Sequence, residues 1–456
     1  MSETLLDEIA EYCRRSRMAE STFGRLAVND GKLVSRLRLG GRLTTDTAER
    51  IRAFIHRAVQ LPPNGMQPMI RAVPPSVTAT TSGSGNFRFY DNRQKYLLFV
   101  TTCSEKRVVA QRAAMELVNI RPRPPALRLF DAGMGDGTVL ARIMRAMHRR
   151  FPTLPFYVVG KEISLEDVRL VLDKMPDRMY EHPTTVLVMT NLYYSEAPWL
   201  QPNSLTAAST LVWHEAVLRG TSAHDFEEQI TELDGFLNEH WRARVGRKGN
   251  PIYEKPAVLV LYREDHRFLL DQVRPRRGMT QAEYDLVIAS QPYRARVSVE
   301  FKAEKVIAPL ARALAPGGRL IAIHSHGEDP GLEIIQKIWP GEDPFTTDRH
   351  ALLRATKNLL GSSGRDLNFS AYADARSLFR YNMHTLPNEI SETIGTSTLL
   401  AAWNAAIYVA QIEDQRLSEA IGSGAWLDAT RTVLQKHGGL WFWDESYVIS
   451  RKRDSG

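Results

Sequence analysis

Apolar positions along the chain change their spacing twice, and these changes divide it into three parts. Over residues 1–58 apolar side chains recur at helical spacing, as at Leu5 and Ile9, and predict a small all-α domain. Residues 59–84 are rich in Pro, Gly, Ser and Thr and predict a linker. Residues 85–456 predict one larger domain, because short apolar strands alternate there with amphipathic helices.

The N-terminal domain is predicted to hold four helices. The second begins near Ser21, which is a good N-cap residue. The third carries Leu33, Val34 and Leu37 at core spacing. The fourth is expected to open at Thr45-Asp46, where a capping-box-like pattern stands.

The alternation of strands and helices in the larger domain predicts a doubly wound α/β fold with a mostly parallel sheet. The stretch of about 195–280 does not fit the spacing of βαβ units and is predicted to be an insertion. The predicted strands are RLFDAG, FYVVGKEIS, TTVLVMTNLYY, PAVLVLYRE (within the insertion), YDLVIASQPY, GGRLIAIHS and ESYVISRKR.

Composition adds bounds on location and partners. No apolar run reaches the ~18 residues of a membrane-spanning helix, and the N-terminus lacks the basic start of a signal peptide. Two cysteines, Cys13 and Cys103, fit a reducing compartment, so we expect a cytoplasmic protein without a membrane partner. The formal net charge of +7 permits contact with nucleic acid without requiring it.

The segment Asp131–Gly137, with the sequence DAGMGDG, follows an apolar strand and precedes a helix. Glycines at such a turn let the backbone approach a ligand, and the helix N-terminus offers free N–H groups. The dinucleotide-binding fingerprint needs a third glycine where Thr138 stands, and no phosphate-binding GxxxxGK[ST] motif is present.

The segment instead resembles the first motif of class I S-adenosylmethionine-dependent methyltransferases. Glu162 ends the second strand, where that family has the acid that binds both ribose hydroxyls. The turn before GGRLIAIHS and the last strand, ESYVISRKR, are similar to the family's fifth and closing strands. The resemblance implies a seven-stranded Rossmann-like sheet with an antiparallel last strand, and S-adenosyl-L-methionine as the cofactor.

The resemblance also implies roles for the loop. Gly133, Gly135 and Gly137 would cradle the methionine part of the cofactor, and Asp131 would support the loop or accept from the amino group. Asn191 follows the third strand, where the family often has an acid against the adenine amine. Asn191 fits that role and the role of a loop cap equally well.

Candidate catalytic residues follow the fourth strand in Ser290-Gln291-Pro292-Tyr293. This sequence resembles the Asn/Asp/Ser-Pro-Pro-aromatic motif of amino-methyltransferases, in which a side-chain oxygen orients the target amine and the aromatic ring stacks on it. Gln291 replaces the first proline, so a plain strand-end turn is favoured and Ser290 and Tyr293 are retained as candidates. His324 and His326 are expected to be strand-end residues, and no metal site is predicted.

Residues 20–41 resemble the helix-turn-helix of phage-repressor-like DNA-binding proteins. The exposed side of the third helix would show Lys32, Ser35, Arg36 and Arg38, which are side chains that reach bases and phosphates. Residues 1–58 hold 11 Lys and Arg against 8 Asp and Glu, a balance of +3. Docking or dimerisation is the alternative role for this domain.

Three hypotheses of function follow. The first is a methyltransferase acting on an unidentified acceptor, whose N-terminal module serves localisation or dimerisation or, as a possible further role, binds DNA. The second is a DNA-binding regulator whose methyltransferase-like domain only binds or senses the cofactor. The third combines both in a nucleic-acid methyltransferase, and the departure of Ser290–Tyr293 from the amino-methyltransferase motif counts against it. A homodimer is compatible with each, since repressor-like modules commonly act as dimers.

Overall fold

The structure is a computed structural model that describes residues 2–16, 19–28, 30, 32–39, 47–48, 51–52, 54–55, 93–246, 251–385, 387–390 and 394–453. The chain divides into two units, Met1–Gly83 and Ser84–Gly456. The linker predicted for residues 59–84 lies outside the described residues, as does the predicted opening of a fourth helix at Thr45-Asp46.

The described part of the N-terminal unit is helical. Leu33, Val34 and Leu37 are buried, which confirms the core spacing predicted for the third helix. Ser21 lies one residue inside the second helix instead of capping it. The helices are α1 (Ser2–Ser16), α2 (Glu20–Val28) and α3 (Leu33–Arg38).

A ten-stranded sheet forms the centre of the second unit, in the order β10-β12-β9-β8-β1-β2-β3-β7-β4, with β11 also paired to β12. A separate hairpin pairs β5 with β6. The strands are β1 (Leu127–Asp131), β2 (Phe156–Lys161), β3 (Thr185–Thr190), β4 (Val212–Leu218), β5 (Ala243–Val245), β6 (Pro251–Tyr253), β7 (Ala257–Arg263), β8 (Tyr284–Ser290), β9 (Leu314–Ser325), β10 (Leu367–Ser370), β11 (Leu378–Asn382) and β12 (Trp441–Arg451).

The central strands β3, β2, β1, β8 and β9 are parallel neighbours, as predicted for a mostly parallel sheet. The last strand, β12, runs antiparallel to β9. Seven strands were expected, and the sheet is larger because β4 pairs with β7 at one edge, and β10 and β11 pair with β12 at the other.

Helices cover both faces of this sheet, because side chains of each strand alternate between the faces. In β2, Phe156 and Val158 join one apolar cluster, and Tyr157 and Val159 join the other. Among the described residues, none of the helices has the length and apolar character needed to cross a membrane. The helices are α4 (Arg93–Thr102), α5 (Glu105–Ala114), α6 (Thr138–Arg150), α7 (Leu165–Leu172), α8 (Met175–Glu181), α9 (Leu205–Ser209), α10 (Ala223–Thr231), α11 (Asp234–His240), α12 (Val299–Lys302), α13 (Ala308–Arg312), α14 (Pro330–Ile338), α15 (Arg349–Leu360), α16 (Asp374–Ser377), α17 (Thr396–Val409), α18 (Asp414–Ser423) and α19 (Ala425–His437).

The segment before β9 departs from an uninterrupted helix. A π-helical segment at Ala303–Ile307 separates α12 from α13. Pro309 lies just after this π-helical segment, within the continuous helical run 299–312, and as an interior proline it interrupts the backbone hydrogen-bond ladder there. Lys302 is the last residue of α12 and lies beside the carboxyl ends of β8 and β9.

Candidate functional site

The loop that follows β1 makes a sharp turn into α6. Gly137 is the residue before the helix and has φ of +78°, and Gly135 has φ of +51°. These left-handed conformations are costly for residues with a Cβ atom, so glycine is required at both positions. Gly133 is exposed, and a Cβ atom built on it meets no atom of the described residues within 4 Å.

Glu162 lies directly after β2 and faces this loop. Its Oε2 atom accepts a hydrogen bond from the Gly135 N–H at 2.9 Å. Its Oε1 atom accepts from the N–H groups of Ile163 and Ser164 at 2.8 and 3.0 Å. Burial, with the nearby Asp167 carboxylate, raises the pKa of Glu162. The three donors fix the carboxylate: Oε1 accepts two of them, and Oε2 keeps capacity for one further donor.

Asp131 closes β1 beside the same loop. Its Oδ1 atom accepts from the Gly133 N–H at 3.1 Å, while Oδ2 is buried and has no hydrogen-bond partner in the part of the chain that the structure describes. Burial raises the pKa of Asp131 to about 6, with a further contribution from Glu162, although the nearby Lys106 ammonium acts in the opposite direction. A buried carboxylate oxygen without a donor has an unmet capacity to bind one.

Met134, in the middle of the loop, packs against β2. Its N–H donates to the carbonyl of Lys161 at 3.1 Å. A Cβ atom at Gly160 of β2 would lie 2.0 Å from the Met134 sulfur, so any larger residue there would require the Met134 side chain to move. The loop motif by itself gave no sign of this close contact.

Tyr96 of α4 covers the loop from the other side. Its hydroxyl accepts from the Asp136 N–H at 3.0 Å and lies 2.9 Å from the place of a Cβ atom on Gly135. The space beside Gly135 is therefore partly taken by a side chain of the protein itself. No sequence motif marked α4, which precedes β1, so sequence analysis missed Tyr96.

Asn191 follows β3, and its side-chain amide forms hydrogen bonds with the backbone of the adjacent insertion. Its Oδ1 atom accepts from the Ala257 N–H at 2.8 Å, and its Nδ2 atom donates to the Lys255 carbonyl at 2.9 Å. The side chain thus ties the end of β3 to the start of β7. Of the two predicted roles, these contacts match that of a loop cap.

Ser290 is the last residue of β8, and Tyr293 lies three residues beyond it in different surroundings. The Ser290 hydroxyl is buried without a hydrogen-bond partner among the described residues, two residues beyond the β8 position that pairs with Asp131. The Tyr293 ring is buried, and its hydroxyl lies 2.8 Å from His324 Nδ1 and 3.4 Å from the Tyr447 hydroxyl. The Tyr293 hydroxyl is thus bonded within the protein, as a buried polar group requires, and a catalytic role for Tyr293 stays a prediction.

A buried ionic network continues from Tyr293. His324 Nε2 lies 3.0 Å from Glu445 Oε2, and the Arg349 guanidinium pairs with Glu445 Oε1. Burial acts to raise the pKa of Glu445, but the hydrogen bonds from His324 and Arg349 hold it at about 2. His324 is thus a partner in a structural network, in agreement with the expectation for this strand end.

The four residues predicted to contact DNA are exposed. Lys32 directly precedes α3, and the other three, Ser35, Arg36 and Arg38, belong to it. Ser35 donates its hydroxyl hydrogen to the Lys32 carbonyl at 2.9 Å. The Arg36 and Arg38 guanidinium groups form ion pairs with Asp30 at 2.8 Å and with Glu20 at 2.5 Å. DNA binding by this face stays a prediction, and part of its positive charge is already paired with acids of the same unit.

No protein-family model matches the chain, and no curated protein sequence matches it. Among solved structures, it is similar to a loganic acid methyltransferase with SAH, at 10% identity and a TM-score of 0.31, over 82% of this chain and 98% of that one. It is similar to a geranyl diphosphate methyltransferase in complex with GPP and sinefungin, at 12% identity and a TM-score of 0.29, over 75% and 78%.

A third similar structure is PKMT2 from Rickettsia typhi in complex with AdoHcy, at 11% identity and a TM-score of 0.26. The match covers 76% of this chain and 53% of that one. Identities and TM-scores this low carry no argument about activity, so function has to be argued from the residues of this chain.

Proposed function

We propose that the larger domain is an S-adenosylmethionine-dependent methyltransferase. The observation that carries the proposal is the hydrogen bond from the Gly135 N–H to Glu162 Oε2, at 2.9 Å. It joins a glycine loop and a carboxylate from neighbouring parallel strands. Both lie at the carboxyl edge of the sheet, where open α/β folds bind their ligands beside the point at which strand order reverses. In this sheet β1 lies at that point, between β2 and β8.

Three observations support the fit of the cofactor to these residues. The surface above Gly133 is open, and within the described part of the chain Oδ2 of Asp131 and the hydroxyl of Ser290 are buried without partners. We expect Asp131 to accept from the amino group of the cofactor, and Glu162 to accept from a sugar hydroxyl. Oε2 of Glu162 has a lone pair for one hydroxyl while the carboxylate holds the three backbone N–H groups.

When bound, the cofactor supplies a methyl group on a cationic sulfur, and the bonding electron pair stays on the sulfur after transfer. Because the donor is already activated, the main task of the protein is alignment of the acceptor. We expect Ser290 to take this role. Its hydroxyl has no hydrogen-bond partner among the described residues, and its strand, β8, pairs with β1, which leads into the glycine loop. The buried hydroxyl of Tyr293 is expected to act in positioning rather than in contact with the methyl group.

Calorimetry of the full chain with S-adenosylhomocysteine tests this proposal. We expect the unaltered protein to bind and Gly135→Asp to bind at least about tenfold more weakly, because the new side chain meets Tyr96 and places a second carboxylate beside Glu162. Gly235→Ala is the matched control, since a Cβ atom there meets no described atom within 4 Å. Equal binding by the unaltered protein and Gly135→Asp contradicts the proposed site.

A further inference from the structure

The stretch from residue 107 to residue 150, which includes most of α5 and all of β1 and α6, exposes arginine and no acid. It contains nine arginines, no lysine and three acidic residues. The three acids, Glu116, Asp131 and Asp136, are all buried. Seven of the nine arginines are exposed. Every residue of this stretch is described, so the positive charge on its surface is not offset by a carboxylate of the same stretch.

Three of these arginines form a stripe along α6. Arg142, Arg145 and Arg149 are exposed and recur at intervals of three and four residues, which places them on one side of the helix. The opposite side is apolar and buried, as at Ile143 and Met147. Arg142 and Arg149 lie about 10 Å apart along the helix axis, at a rise of about 1.5 Å per residue. Among the described residues, no acidic side chain forms an ion pair with the three.

Two further arginines meet at the end of this helix. Arg150 is the last residue of α6, and Arg121 lies shortly before β1. Their guanidinium groups donate to the same acceptor, the Val118 carbonyl, at 3.4 and 3.2 Å. Two cations on one acceptor repel each other, and the helix dipole supplies only about half a negative charge at this end. An anion between them would relieve the repulsion. We use the name arginine face for Arg121, Arg142, Arg145, Arg149 and Arg150.

The neighbouring helix α8 does not neutralise the arginine face. It packs against α6 and carries two exposed acids, Asp177 and Glu181. Glu181 pairs with Arg178 of its own helix. In the part of the chain that the structure describes, no ion pair joins Asp177 or Glu181 to an arginine of α6. The face is therefore available to an anionic partner.

Phosphate is the anion that this composition favours. A guanidinium group presents a planar fork of N–H donors that matches two oxygens of one phosphate, whereas an ammonium acts as a point charge. The stretch uses arginine at every permanently cationic position. A row of such groups matches a polymer that repeats phosphates better than it matches a single small anion.

A lipid surface and a single strand of nucleic acid fit this face less well than a duplex. Binding within a lipid interface uses an apolar helix side as well as a basic one, but the apolar side of α6 is buried in the core. Single strands stack their bases on aromatic rings, and Phe130, the one aromatic residue of the stretch, is buried. A duplex needs neither, because it presents one phosphate charge per about 1.7 Å of its axis.

We propose that the arginine face binds the phosphate backbone of a double-stranded nucleic acid. Arg142, Arg145 and Arg149 contact successive phosphates, and Arg121 and Arg150 hold one phosphate between them. The contacts position the duplex without reading its sequence, since they go to the backbone. The face belongs to the larger unit and is separate from α3, and the inference does not rest on the methyltransferase proposal.

Fluorescence anisotropy with the full chain tests this inference. The probes are a labelled DNA duplex and a labelled RNA duplex of the same length and sequence. We expect binding at low salt that weakens as salt is added, because phosphate contacts release counterions. Binding of one duplex alone keeps the inference and identifies that duplex as the ligand. No binding of either duplex at low salt overturns it, and so does displacement of the duplex by vesicles of phosphatidylserine and phosphatidylcholine at equal charge.

The triple variant Arg142→Gln, Arg145→Gln and Arg149→Gln locates the contact. Glutamine has nearly the helix propensity of arginine, so α6 is expected to stay folded. We expect duplex affinity at low salt to fall at least about tenfold. The slope of log affinity against log salt should become smaller by about 2–3, since each lost phosphate contact removes about 0.9.

A second triple variant, Arg267→Gln, Arg276→Gln and Arg277→Gln, is the matched control. It removes the same charge from exposed positions between β7 and β8, and we expect its slope to stay that of the unaltered chain. Equal changes in the two triple variants overturn the inference, because net charge then explains the binding. A loss in Lys32→Ala with no loss in the α6 variant also overturns it and assigns the duplex to the N-terminal unit.

Discussion

The hydroxyl of Tyr96 accepts a hydrogen bond from the backbone N–H of Asp136 at 3.0 Å. Tyr96 belongs to α4, which precedes β1, and Asp136 belongs to the glycine loop that follows β1. The loop is therefore fixed by an element that carries no recognisable motif. The candidate site is larger than the set of residues that the loop motif and its neighbouring strand define.

Tyr96→Phe removes this acceptor and leaves the Asp136 N–H without it. We expect a loss of about 1–3 kcal/mol in the free energy of unfolding, measured by urea denaturation, because an unsatisfied buried donor keeps its desolvation cost. We also expect weaker binding of S-adenosylhomocysteine. Tyr180→Phe is the control, since Tyr180 is 58% exposed. Unchanged stability of Tyr96→Phe contradicts the assigned contact.

Glu162→Gln tests the carboxylate that accepts hydrogen bonds both from the glycine loop and from the two residues that follow Glu162. One of the three backbone N–H donors on Glu162 would then face an amide NH2 group instead of an oxygen. We expect calorimetry to show S-adenosylhomocysteine affinity about tenfold to a hundredfold lower, as for lost hydrogen bonds to a charged group. Glu166→Gln removes an exposed carboxylate nearby and serves as the control. Equal losses in both variants argue against a specific role for Glu162.

Asp131 predicts a pH dependence of cofactor binding. Its pKa is raised to about 6, so the carboxyl is charged above that pH and neutral below it. We expect affinity for the cationic cofactor, measured by calorimetry, to fall between about pH 7.5 and about pH 5, and Asp131→Asn to lose this dependence. A pH profile that is the same in Asp131→Asn rules out this assignment.

The same shift has a consequence for stability. The folded chain holds the Asp131 proton more tightly than the unfolded chain, since the folded pKa lies above the ordinary value of 3.8. The contribution of this group to the free energy of unfolding therefore decreases as pH rises from about 4 to about 6. Urea denaturation across this range, with Asp131→Asn as the comparison, measures it.

Arg349→Met tests the buried network behind Tyr293. The change leaves the Glu445 carboxylate buried without its guanidinium partner, and we expect a loss of about 3–5 kcal/mol in urea denaturation. Combining it with Glu445→Gln should restore part of the loss, because the uncompensated charge is then gone. Arg354→Met, at an exposed position of the same helix, is the control. A double variant less stable than Arg349→Met contradicts this account.

We predict a salt-dependent interaction with DNA for the exposed side of α3, which carries Arg36 and Arg38 beside Lys32. In a gel-shift assay with the full chain at low salt, we expect retardation that decreases as salt is added. Lys32→Ala should weaken it, whereas Arg14→Ala, an equal charge change on the exposed face of α1, should not. No retardation at low salt removes the regulator hypothesis and leaves the methyltransferase proposal unaffected.

Much of the sheet is predictable from sequence, because alternating apolar strands and amphipathic helices follow from local periodicity. β2 and α6 fall where their patterns indicate. The position of Tyr96 is not predictable in this way. It depends on a contact with Asp136, 40 residues further along the chain, and Tyr96 belongs to no motif. Asn191 is a third case: the sequence identified its position, but its hydrogen-bond partners belong to the insertion, whose course could not be predicted.

The close fit of Met134 against Gly160 has a consequence for the kinetics of ligand association. Because this contact joins two residues of the chain itself, we expect the loop to keep its shape when a ligand binds, so that little free energy is lost to ordering the backbone. Association is then governed by diffusion and orientation, and differences among related ligands should appear mainly in their residence times.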